Sequence, residues 1–429
     1  MAARLGRLLL FLLFSNAFLR AELNAVPVLK PWKKVPIPAE YAGAWIVVGD
    51  LDNDGTAEIV SARNFNQNDE HYTTSVIALD LEGKVLWTWG DAKAGRNACH
   101  HDVACQIYDW DGDGNVEVVV ATIDEIVSLD GKTGRIVHRF PIQKNAADCL
   151  VFANLTGKDR PADVLVKTRY SQIWAYNPEG QLLWSVEKPA GYPTAHQPRP
   201  IDLDLDGRDE VMAGFAMLDS DGTERWSLLD KDLPLQGGHL DCARILKRGK
   251  TSAETTLVLS HCGANALSVV TGDGEVIWSK SGEHFESIDV GKVRDDLEGN
   301  QIIVDLDHRG WGNGLLWILS DEGELLGEIE SDWSRHHSLI QWGEGQLQSI
   351  FVAQARGLFD GYGRKLAEFE LVDLPKETAL TCLVSDVDGN GTEDLVVASN
   401  PASTVFLFKN PRKSSGGPPA KLEINHTFY

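Results

Sequence analysis

Histidine residues recur at one kind of position in this chain, directly before an apolar stretch with the pattern of a β-strand. After the second predicted strand of several units, arginine, lysine, asparagine and tyrosine side chains follow. Any single histidine of this kind is most often a structural residue that hydrogen-bonds to backbone. Several titratable groups that converge on one concave centre are instead the usual sign of a binding or catalytic site.

These side chains suit an elimination reaction at a uronic acid. A cation would neutralise the sugar carboxylate, a base would remove the proton at C5, and an acid would protonate the leaving oxygen at C4. Arg169 or Arg309 would neutralise the carboxylate, because a guanidinium is always charged and binds carboxylates in a bidentate manner. The candidates for catalysis, with His101, His196 or His239 as base and the tyrosine as acid or partner base, are His100, His101, His196, His239, Tyr170 and Arg169.

A second set of residues is expected around the same centre and would bind the substrate. Trp311 could stack on a sugar face, although a tryptophan in the core is an equal alternative. The candidates for substrate binding are Arg63, Asn64, Lys167, His284, Arg309, Trp311, Asn313, His336 and His337, and His261 and Arg356 fall at similar positions.

Four further segments carry acidic residues at alternate positions, followed by a glycine. They comprise Asp50, Asp52, Asp54 and Glu58; Asp109, Asp111, Asp113 and Glu117; Asp202, Asp204, Asp206 and Glu210; and Asp386, Asp388, Asn390 and Asp394. Oxygen ligands at this density suit Ca²⁺, and the glycine permits the positive φ that the turn needs. We expect Ca²⁺ in a structural or assisting role, with solvated turns that hold no metal as the alternative. The histidine cluster could also hold Zn²⁺, which would make it a scaffold rather than a base.

Both patterns recur in units of about 40 to 50 residues, the period of a β-propeller. The prediction is an all-β fold of four-stranded blades over residues 44–410, with eight blades, or seven if one weak unit is an insertion. Tryptophans that end several units would lie on outermost strands and pack between blades; they are Trp87, Trp184, Trp226 and Trp278. The acidic turns follow the innermost strands, so the histidines should lie around the axis at the opposite face.

The bulk properties narrow the class of protein. A formal net charge of −23 argues against nucleic acid as a partner, since phosphate binding needs a basic surface. Residues 1–21 have the layout of a secretory signal peptide, and their apolar run Leu8–Phe14 is too short to span a bilayer. We expect a secreted or periplasmic monomer that leaves the membrane after signal cleavage, with a retained anchor as the alternative. Residues 22–43 would be a lead-in and 411–429 a linker and tail.

The six cysteines are Cys99, Cys105, Cys149, Cys242, Cys262 and Cys382. An even number in an exported chain suggests disulfides, but several fall where a small apolar residue would pack in an inner strand. Buried free thiols are therefore expected. The pair to test for a disulfide is Cys242 with Cys262.

Three segments resemble a known family: GYPTAHQPRPIDLDLDGRDEVMAGFAMLDSDG, GGHLD and VGKVRDDLEGNQIIVDLDHRGWGNG. They are similar to the bacterial propeller polysaccharide lyases, which comprise the rhamnogalacturonan lyases and the related ulvan and rhamnosyl-glucuronate lyases. The acidic turns resemble FG-GAP repeats. The resemblance implies a β-eliminative lyase that acts on an acidic rhamnose-uronate polysaccharide, with Ca²⁺ in structural or assisting roles. It points to His100, His101, His196, His239, His284, Arg169, Tyr170 and Arg309. Eight units favour the rhamnogalacturonan branch, whereas the histidine-rich rim favours the ulvan branch.

Two other functions fit parts of the sequence. A non-catalytic carbohydrate-binding or adhesion propeller would have the same acidic turns without a cationic, titratable centre. The segment SLDGKTGRIV resembles the repeats of quinone-dependent alcohol dehydrogenases, but those enzymes hold their cofactor beneath an adjacent cysteine pair, and this chain has none.

Overall fold

The protein, seen here in a computed structural model, is described at residues 26–43, 45–68, 70–96, 102–413 and 424–425. Strands dominate these residues. The helical segments among them are four short 3-10 turns: Ala39–Tyr41, Ala92–Ala94, Pro189–Gly191 and Ser252–Glu254. Within the same ranges, no helix has the length and apolar character needed to cross a membrane.

The strands form eight sheets that follow one another along the chain. Seven of them contain an antiparallel meander of four consecutive strands, and the eighth combines three consecutive strands with one strand from the N-terminal segment. Blades 1 to 4 consist of β3 Trp45–Gly49, β4 Glu58–Gln67, β5 Glu70–Leu79 and β6 Val85–Gly90; β7 Cys105–Tyr108, β8 Glu117–Ala121, β9 Glu125–Asp130 and β10 Ile136–Pro141; β11 Leu150–Ala153, β12 Asp163–Lys167, β13 Gln172–Tyr176 and β14 Leu182–Glu187; β15 Arg199–Ile201, β16 Glu210–Met212, β17 Ala216–Leu218 and β18 Glu224–Ser227.

Blades 5 to 8 continue the same order. They consist of β19 His239–Lys247, β20 Thr256–Cys262, β21 Ala266–Thr271 and β22 Val276–Ser281; β23 Phe285–Gly291, β24 Gln301–Leu306, β25 Gly314–Leu319 and β26 Leu325–Ser331; β27 His337–Ile340, β28 Ser349–Val352, β29 Gly357–Phe359 and β30 Lys365–Phe369; β31 Leu380–Ser385, β32 Asp394–Ser399 and β33 Thr404–Phe408. The prediction of an eight-bladed, all-β propeller is confirmed. In five of the eight pairs of neighbouring blades the first strands contact each other, which places these strands around the central axis.

The N-terminal segment closes the ring. Strand β2, Lys33–Pro36, pairs antiparallel with β33 and supplies the outermost strand of blade 8. Strand β1, Val28–Leu29, pairs parallel with β30 and adds a fifth strand to blade 7. The sequence suggests that this N-terminal segment is only a lead-in. In the structure, the segment joins the last two blades to the start of the chain.

Apolar residues fill the spaces between blades, which explains why inner strands are apolar on both sides. One cluster joins Val47 and Val60 of blade 1 to Val118 and Val120 of blade 2. A strand that is covered on both faces has no polar side to alternate with. The core is therefore a ring of inter-blade layers rather than one central mass.

The tryptophans that end blades 1, 3, 4 and 5 each pack against the next blade, as predicted. The indole N–H of Trp184 donates to the carbonyl of Ser220 at 2.9 Å, in the next blade. Its ring lies against Gly222, where an added Cβ would meet the indole at 2.7 Å and where φ is +85°. Trp87, Trp226 and Trp278 donate in the same way to Gly131, Gly272 and Asp321. The Asp-Gly and Glu-Gly turns are thus needed both for their backbone conformation and for the packed indole.

One residue near the C-terminus, Asn425, reaches an inner strand. The side-chain amide of Asn425 accepts from the N–H of Phe152 at 2.6 Å and donates to its carbonyl at 2.7 Å. Phe152 belongs to β11, the first strand of blade 3.

Candidate functional site

Two opposite faces of the ring carry the two kinds of sequence pattern. The acidic turns join the first and second strands of blades 1, 2, 4 and 8. We call that side the acidic face. The starts of first strands and the turns between second and third strands lie on the other side, which we call the histidine face.

A buried charge network occupies the histidine face at blades 2 and 3. Lys167, at the end of β12, is fully buried and pairs closely with Asp148, while its ammonium lies 3.9 Å from Asp102. Arg169 lies 3.4 Å from Asp102 and 3.8 Å from Asp148. His71, on the long hairpin of blade 1, also pairs closely with Asp148. Two cations and a histidine therefore hold two carboxylates in place.

Next to this network, four side chains from blades 3, 4 and 5 meet. The Nδ1 atom of His196 lies 3.0 Å from both oxygens of Asp102. The ring of Tyr170 makes edge contacts with His196 at 5.6 Å and with His239 at 5.1 Å, and the two imidazoles are 4.8 Å apart. The guanidinium of Arg169 lies 5.1 Å from the Tyr170 ring. The structure thus brings together four of the residues that the sequence singles out for catalysis.

Burial sets the protonation of this group. Burial raises the pKa of the Tyr170 phenol, and the nearby Arg169 offsets only part of that effect, so the phenol is protonated at neutral pH. Burial also lowers the pKa of His196 well below its ordinary value, so the imidazole is neutral. For Arg169 the carboxylates of Asp102 and Asp148 outweigh burial and raise the pKa. The site therefore offers a fixed cation, a neutral imidazole and a phenolic proton side by side.

His196, His239 and Asp241 have the geometry of a cation site. Their ligand atoms lie within 4.8 Å of one another, and all three side chains are at least partly buried. His239 Nε2 approaches Asp241 Oδ1 at 2.9 Å without the alignment of a hydrogen bond. Asp241 sits at a bulge in β19, and bulges re-aim side chains. The nitrogen and oxygen donors fit Zn²⁺ better than the all-oxygen set that Ca²⁺ prefers.

A second cluster adjoins it at blades 5, 6 and 7. His284 Nε2 lies 3.0 Å from Cys262 Sγ and 3.3 Å from Glu286 Oε1. Arg335 pairs closely with Glu286 and with Asp307. Burial raises the pKa of Glu286 and of the Cys262 thiol, and it lowers the pKa of His284 together with the neighbouring His308. The sequence suggests His284 for substrate binding. In the structure it belongs to a second group of possible metal ligands, next to the group of His196, His239 and Asp241.

Other predicted residues have structural surroundings. Arg63 donates to the carbonyl of Ala42 at 3.1 Å, and Asn64 is buried beside it in β4. His261 donates to or accepts from Ser268 at 2.7 Å in the fully buried layer between blades, where burial lowers its pKa to about 3. Arg356 donates to the carbonyls of Leu374 and Pro375. These side chains are not in the cluster around Tyr170.

The histidines of blade 7 are also separate from that cluster. His337 lies 2.9 Å from Asp289 and 3.1 Å from Ser287; burial lowers its pKa, but the pairing with Asp289 outweighs this and raises it. His336 is buried with its ring edge-on to Trp333 at 5.3 Å.

The turn after β24 is more open. Arg309 pairs with Glu283 at 3.0 Å, Trp311 is 46% exposed and Asn313 is exposed. Trp311 is therefore a surface residue that is available for stacking, rather than part of the core. His100 and His101 lie outside the described residues.

The acidic face has a repeated internal support. The closing acid of each acidic loop accepts the backbone N–H of the residue after the first aspartate: Glu58 from Leu51, Glu117 from Trp110 and Glu210 from Leu203, each at 2.8 Å, and Asp394 from Val387 at 3.3 Å. Burial raises the pKa of the three glutamates to about 7 and that of Asp394 to about 6.

The four loops differ in what faces their carboxylates. In blades 1 and 2, the oxygens of the first and second aspartates and of the closing glutamate lie within 4.8 Å of one another. Buried aspartate oxygens without a hydrogen-bond partner, as expected of atoms that face a cation, occur in blades 1, 4 and 8, at Asp52, Asp202 and Asp388. In blade 4, Arg225 contacts Asp204 at 3.0 Å and Glu210 at 3.0 Å, and in blade 8 Lys409 pairs with Asp388. Basic side chains therefore contact the loop carboxylates closely in blades 4 and 8, whereas in blade 1 Lys132 lies 4.0 Å from Asp52.

The sequence reasoning did not single out the acidic partners on the histidine face. Asp241 follows His239 by two residues, and Glu286 follows His284 by two. In a strand, residues two apart point to the same side, so a His-x-Asp or His-x-Glu pair at a strand start places both side chains at the axis. That pattern would have identified them.

The fold and the site together define an eight-bladed β-propeller with a cluster of Arg, Tyr, His and Asp side chains on one face and acidic loops on the other. Within that class, the chain is similar to the rhamnogalacturonan lyases. Residues 25–140 match the family model for the C-terminal domain of rhamnogalacturonan lyase family 11. This match confirms the resemblance that the sequence indicates.

Two characterised relatives and one solved structure show the extent of the similarity. Rhamnogalacturonan endolyase YesW of Bacillus subtilis (strain 168) is 25% identical over 288 residues, 52% of this chain and 46% of that protein. Rhamnogalacturonan exolyase YesX of the same strain is 35% identical over 123 residues, 26% of this chain and 19% of that protein. The chain thus spans less than half the length of each. A Bacillus licheniformis rhamnogalacturonan lyase PL11 shares the fold, with a TM-score of 0.62, 19% identity and coverage of 89% of this chain and 76% of that one.

Proposed function

We propose that this protein is a polysaccharide lyase that cleaves a rhamnose- and uronate-containing polymer by β-elimination on its histidine face. The observation that carries the proposal is the contact group of Arg169, Tyr170, His196 and His239, held by Asp102 and Asp241. The similarity to rhamnogalacturonan lyases supports the substrate class. A shared fold alone would leave the chemistry open, because one fold hosts many functions.

Each group has a role that follows from its surroundings. Arg169 neutralises the uronate carboxylate, which lowers the barrier to removing the neighbouring proton. Tyr170 donates its phenolic proton to the leaving oxygen, since burial keeps it protonated at neutral pH. A neutral histidine accepts the proton from carbon. Lys167 cannot reach a substrate because it is fully buried, so it acts by holding Asp102 and Asp148 in place.

The identity of the base depends on whether a cation binds. A divalent cation held by His196, His239 and Asp241 would add positive charge opposite the substrate carboxylate. Those imidazoles would then be ligands, and His101 would be the histidine left to act as base. Without a cation, His239 is the better base, because it is more exposed than His196.

Incubation with rhamnogalacturonan, ulvan and gum-type glycans tests the proposal. Elimination creates an unsaturated uronate, so ultraviolet absorbance should rise on at least one polymer. Y170F should lower kcat by about 10²-fold or more, as the loss of general acid catalysis does, with an unchanged melting temperature. R169K should lower kcat/KM by a similar factor, because a lysine cannot bind a carboxylate in a bidentate manner.

Matched controls are available on the same fold. Tyr362 is exposed and contacts Arg294, and Arg364 pairs with Asp360 at the surface, so Y362F and R364K should leave activity unchanged. Parent-like turnover in both Y170F and R169K would move the site elsewhere. No absorbance change on any polymer would favour the second candidate, a non-catalytic carbohydrate-binding propeller, which the exposed Trp311 also supports.

The proposal extends to the setting of the enzyme. We propose an exported, monomeric protein whose acidic loops in blades 1 and 2 bind Ca²⁺ and stabilise the ring. The signal-like N-terminus supports export, and the grouped carboxylates of those two loops support the cation. Cleavage site mapping of the exported chain and light scattering test the first two points.

A further inference from the structure

Cys262 is placed differently from the other thiols in the described part of the chain. Cys105, Cys149, Cys242, Cys262 and Cys382 are all free and buried, so Cys242 and Cys262 do not form the disulfide that the sequence left to be tested. Cys105, Cys242 and Cys382 lie on first strands, and Cys149 directly precedes the first strand of blade 3. Cys262 lies instead at the end of β20, on the histidine face, where its Sγ atom is 3.0 Å from His284 Nε2. It is a thiol that faces a group of nitrogen and oxygen donors.

The orientation of His284 is fixed by a second contact. Its Nδ1 atom lies 3.1 Å from the side-chain oxygen of Asn265, which can only accept a hydrogen bond. In the tautomer that donates from Nδ1 to Asn265, Nε2 keeps a lone pair that points toward Cys262 and Glu286, and this is the form that a metal would bind. Metal-binding histidines are oriented in this way, by an outer partner that holds the far ring nitrogen.

The neighbouring residues complete a set of four donors. Glu286 is held through its pairing with Arg335, while its Oε1 atom lies 3.3 Å from His284 Nε2 and 3.7 Å from His308 Nε2. The rings of His284 and His308 are stacked, with centroids 3.9 Å apart and an angle of 23° between planes. His308 is mostly exposed, so the cluster is open to solvent on that side.

We propose that Cys262, His284 and Glu286 form a binding site for a thiophilic divalent cation, Zn²⁺ in the first instance, with His308 as fourth ligand. The site uses different ligands from the group of His196, His239 and Asp241 but borders it, because Asp241 also interacts with the Cys262 thiol. A thiolate together with imidazoles and one carboxylate matches the mixed donor sets of tetrahedral zinc sites and does not suit Ca²⁺.

The movement required of the first two ligands, Cys262 and His284, is small, whereas His308 must rotate out of its stack on His284 to aim a lone pair at the same ion. Tetrahedral Zn²⁺ with a Zn–S distance of about 2.3 Å and a Zn–N distance of about 2.0 Å separates the two ligand atoms by about 3.5 Å. Cys262 and His284 therefore need to move apart by about 0.5 Å. In the absence of a metal, the thiol would donate a hydrogen bond to Nε2, which is the competing explanation for the contact.

Cobalt substitution of the full-length protein tests the proposal directly. Co²⁺ bound by a thiolate gives a strong near-ultraviolet charge-transfer band, which imidazole and carboxylate ligands alone do not give. We expect this band in the parent protein, with one Co²⁺ per chain responsible for it, and displacement by Zn²⁺. C262S should abolish the band. C242S, which changes a buried thiol on the neighbouring strand, should keep it.

Thiol alkylation of the parent protein provides a second measurement that needs no variant. Zn²⁺ should protect Cys262 from iodoacetamide by at least about tenfold relative to protein treated with a chelator. The band should also persist in H239A, which removes a ligand of the other group. Absence of a thiolate band, with Cys262 alkylated equally with and without Zn²⁺, would overturn the proposal. These measurements detect metal binding and do not depend on lyase activity. An inactive protein could therefore show the thiolate band, and an active lyase could lack it.

Discussion

Substitution of Glu58 by glutamine separates a loop that binds a cation from a bare acidic turn. The Glu58 side chain is 5% exposed, and its carboxylate accepts the N–H of Leu51 at 2.8 Å. Burial raises its pKa from 4.5 to about 7, and Asp52, Asp50 and Asp54 add to the effect. Glutamine keeps an oxygen for Leu51 but removes the charge.

The sign of the effect follows from linkage. An acid with a raised pKa binds its proton more tightly in the folded state, so without a cation the free energy of unfolding falls as the pH rises from 4.5 to about 7. The difference between these values corresponds to about 3 kcal/mol, which we halve to about 1.5 kcal/mol because water reaches the loop. At pH 8 in chelator, E58Q should therefore be about 1.5 kcal/mol more stable than the parent protein.

Calcium should reverse this order. If the Glu58 carboxylate is a ligand, the parent protein gains about 2.7 kcal/mol at a Ca²⁺ concentration 100 times the Kd, and E58Q gains less. Urea unfolding followed by tryptophan fluorescence, with chelator and with Ca²⁺, measures both differences. E179Q, at an exposed turn, is the control and should match the parent in each condition. Equal responses of E58Q and the parent to Ca²⁺, together with no gain of stability in chelator at pH 8, would refute the reasoning.

Three further substitutions test other parts of the structure. K167M should lower the free energy of unfolding by about 3 kcal/mol, because it leaves the buried carboxylates of Asp148 and Asp102 with Arg169 as their one remaining cation; chemical denaturation measures this, and a parent-like value would contradict the network. R225M should make the melting temperature depend on Ca²⁺, because Asp204 and Glu210 lose the guanidinium that contacts them. R364M, at a surface pair, is the control. A melting temperature of R225M that does not respond to Ca²⁺ would show that this loop does not bind the ion. V35D should destabilise the ring by at least about 3 kcal/mol, because Val35 is fully buried in the closing strand, whereas K30D at an exposed position should not.

The repeat could be identified from sequence because its signals are local. Alternating acids with a glycine, a terminal tryptophan and an Asp-Gly turn each act within one unit, so the blade count and the strand order follow from them. The closing strand could not be identified, since Lys33–Pro36 carries no repeat signal of its own and pairs with residues at the other end of the chain.

The candidate site could be predicted only in part. The side of the ring was predictable, because it depends on strand direction, and Arg169, Tyr170, His196 and His239 do meet there. The acidic partners of these residues could not be predicted, because their contacts join different blades. Asp102 contacts His196, and Glu286 contacts Arg335. The balance of burial and charge that keeps Tyr170 protonated likewise depends on the packed ring.

The pairing of Lys33–Pro36 with blade 8 also has a consequence for how the chain folds. Pro36 pairs with Thr404, so this contact closes nearly the whole chain, and the loop entropy for about 370 residues is roughly 3 kcal/mol larger than for a ten-residue hairpin. Synthesis begins at the N-terminus, so one of the first strands to be made must wait for the last blade. Until then, the outer edge of β33 is unpaired and can accept any extended segment of suitable sequence. A free peptide with the sequence of residues 33–36 and their neighbours would compete for that edge and slow the final step of folding.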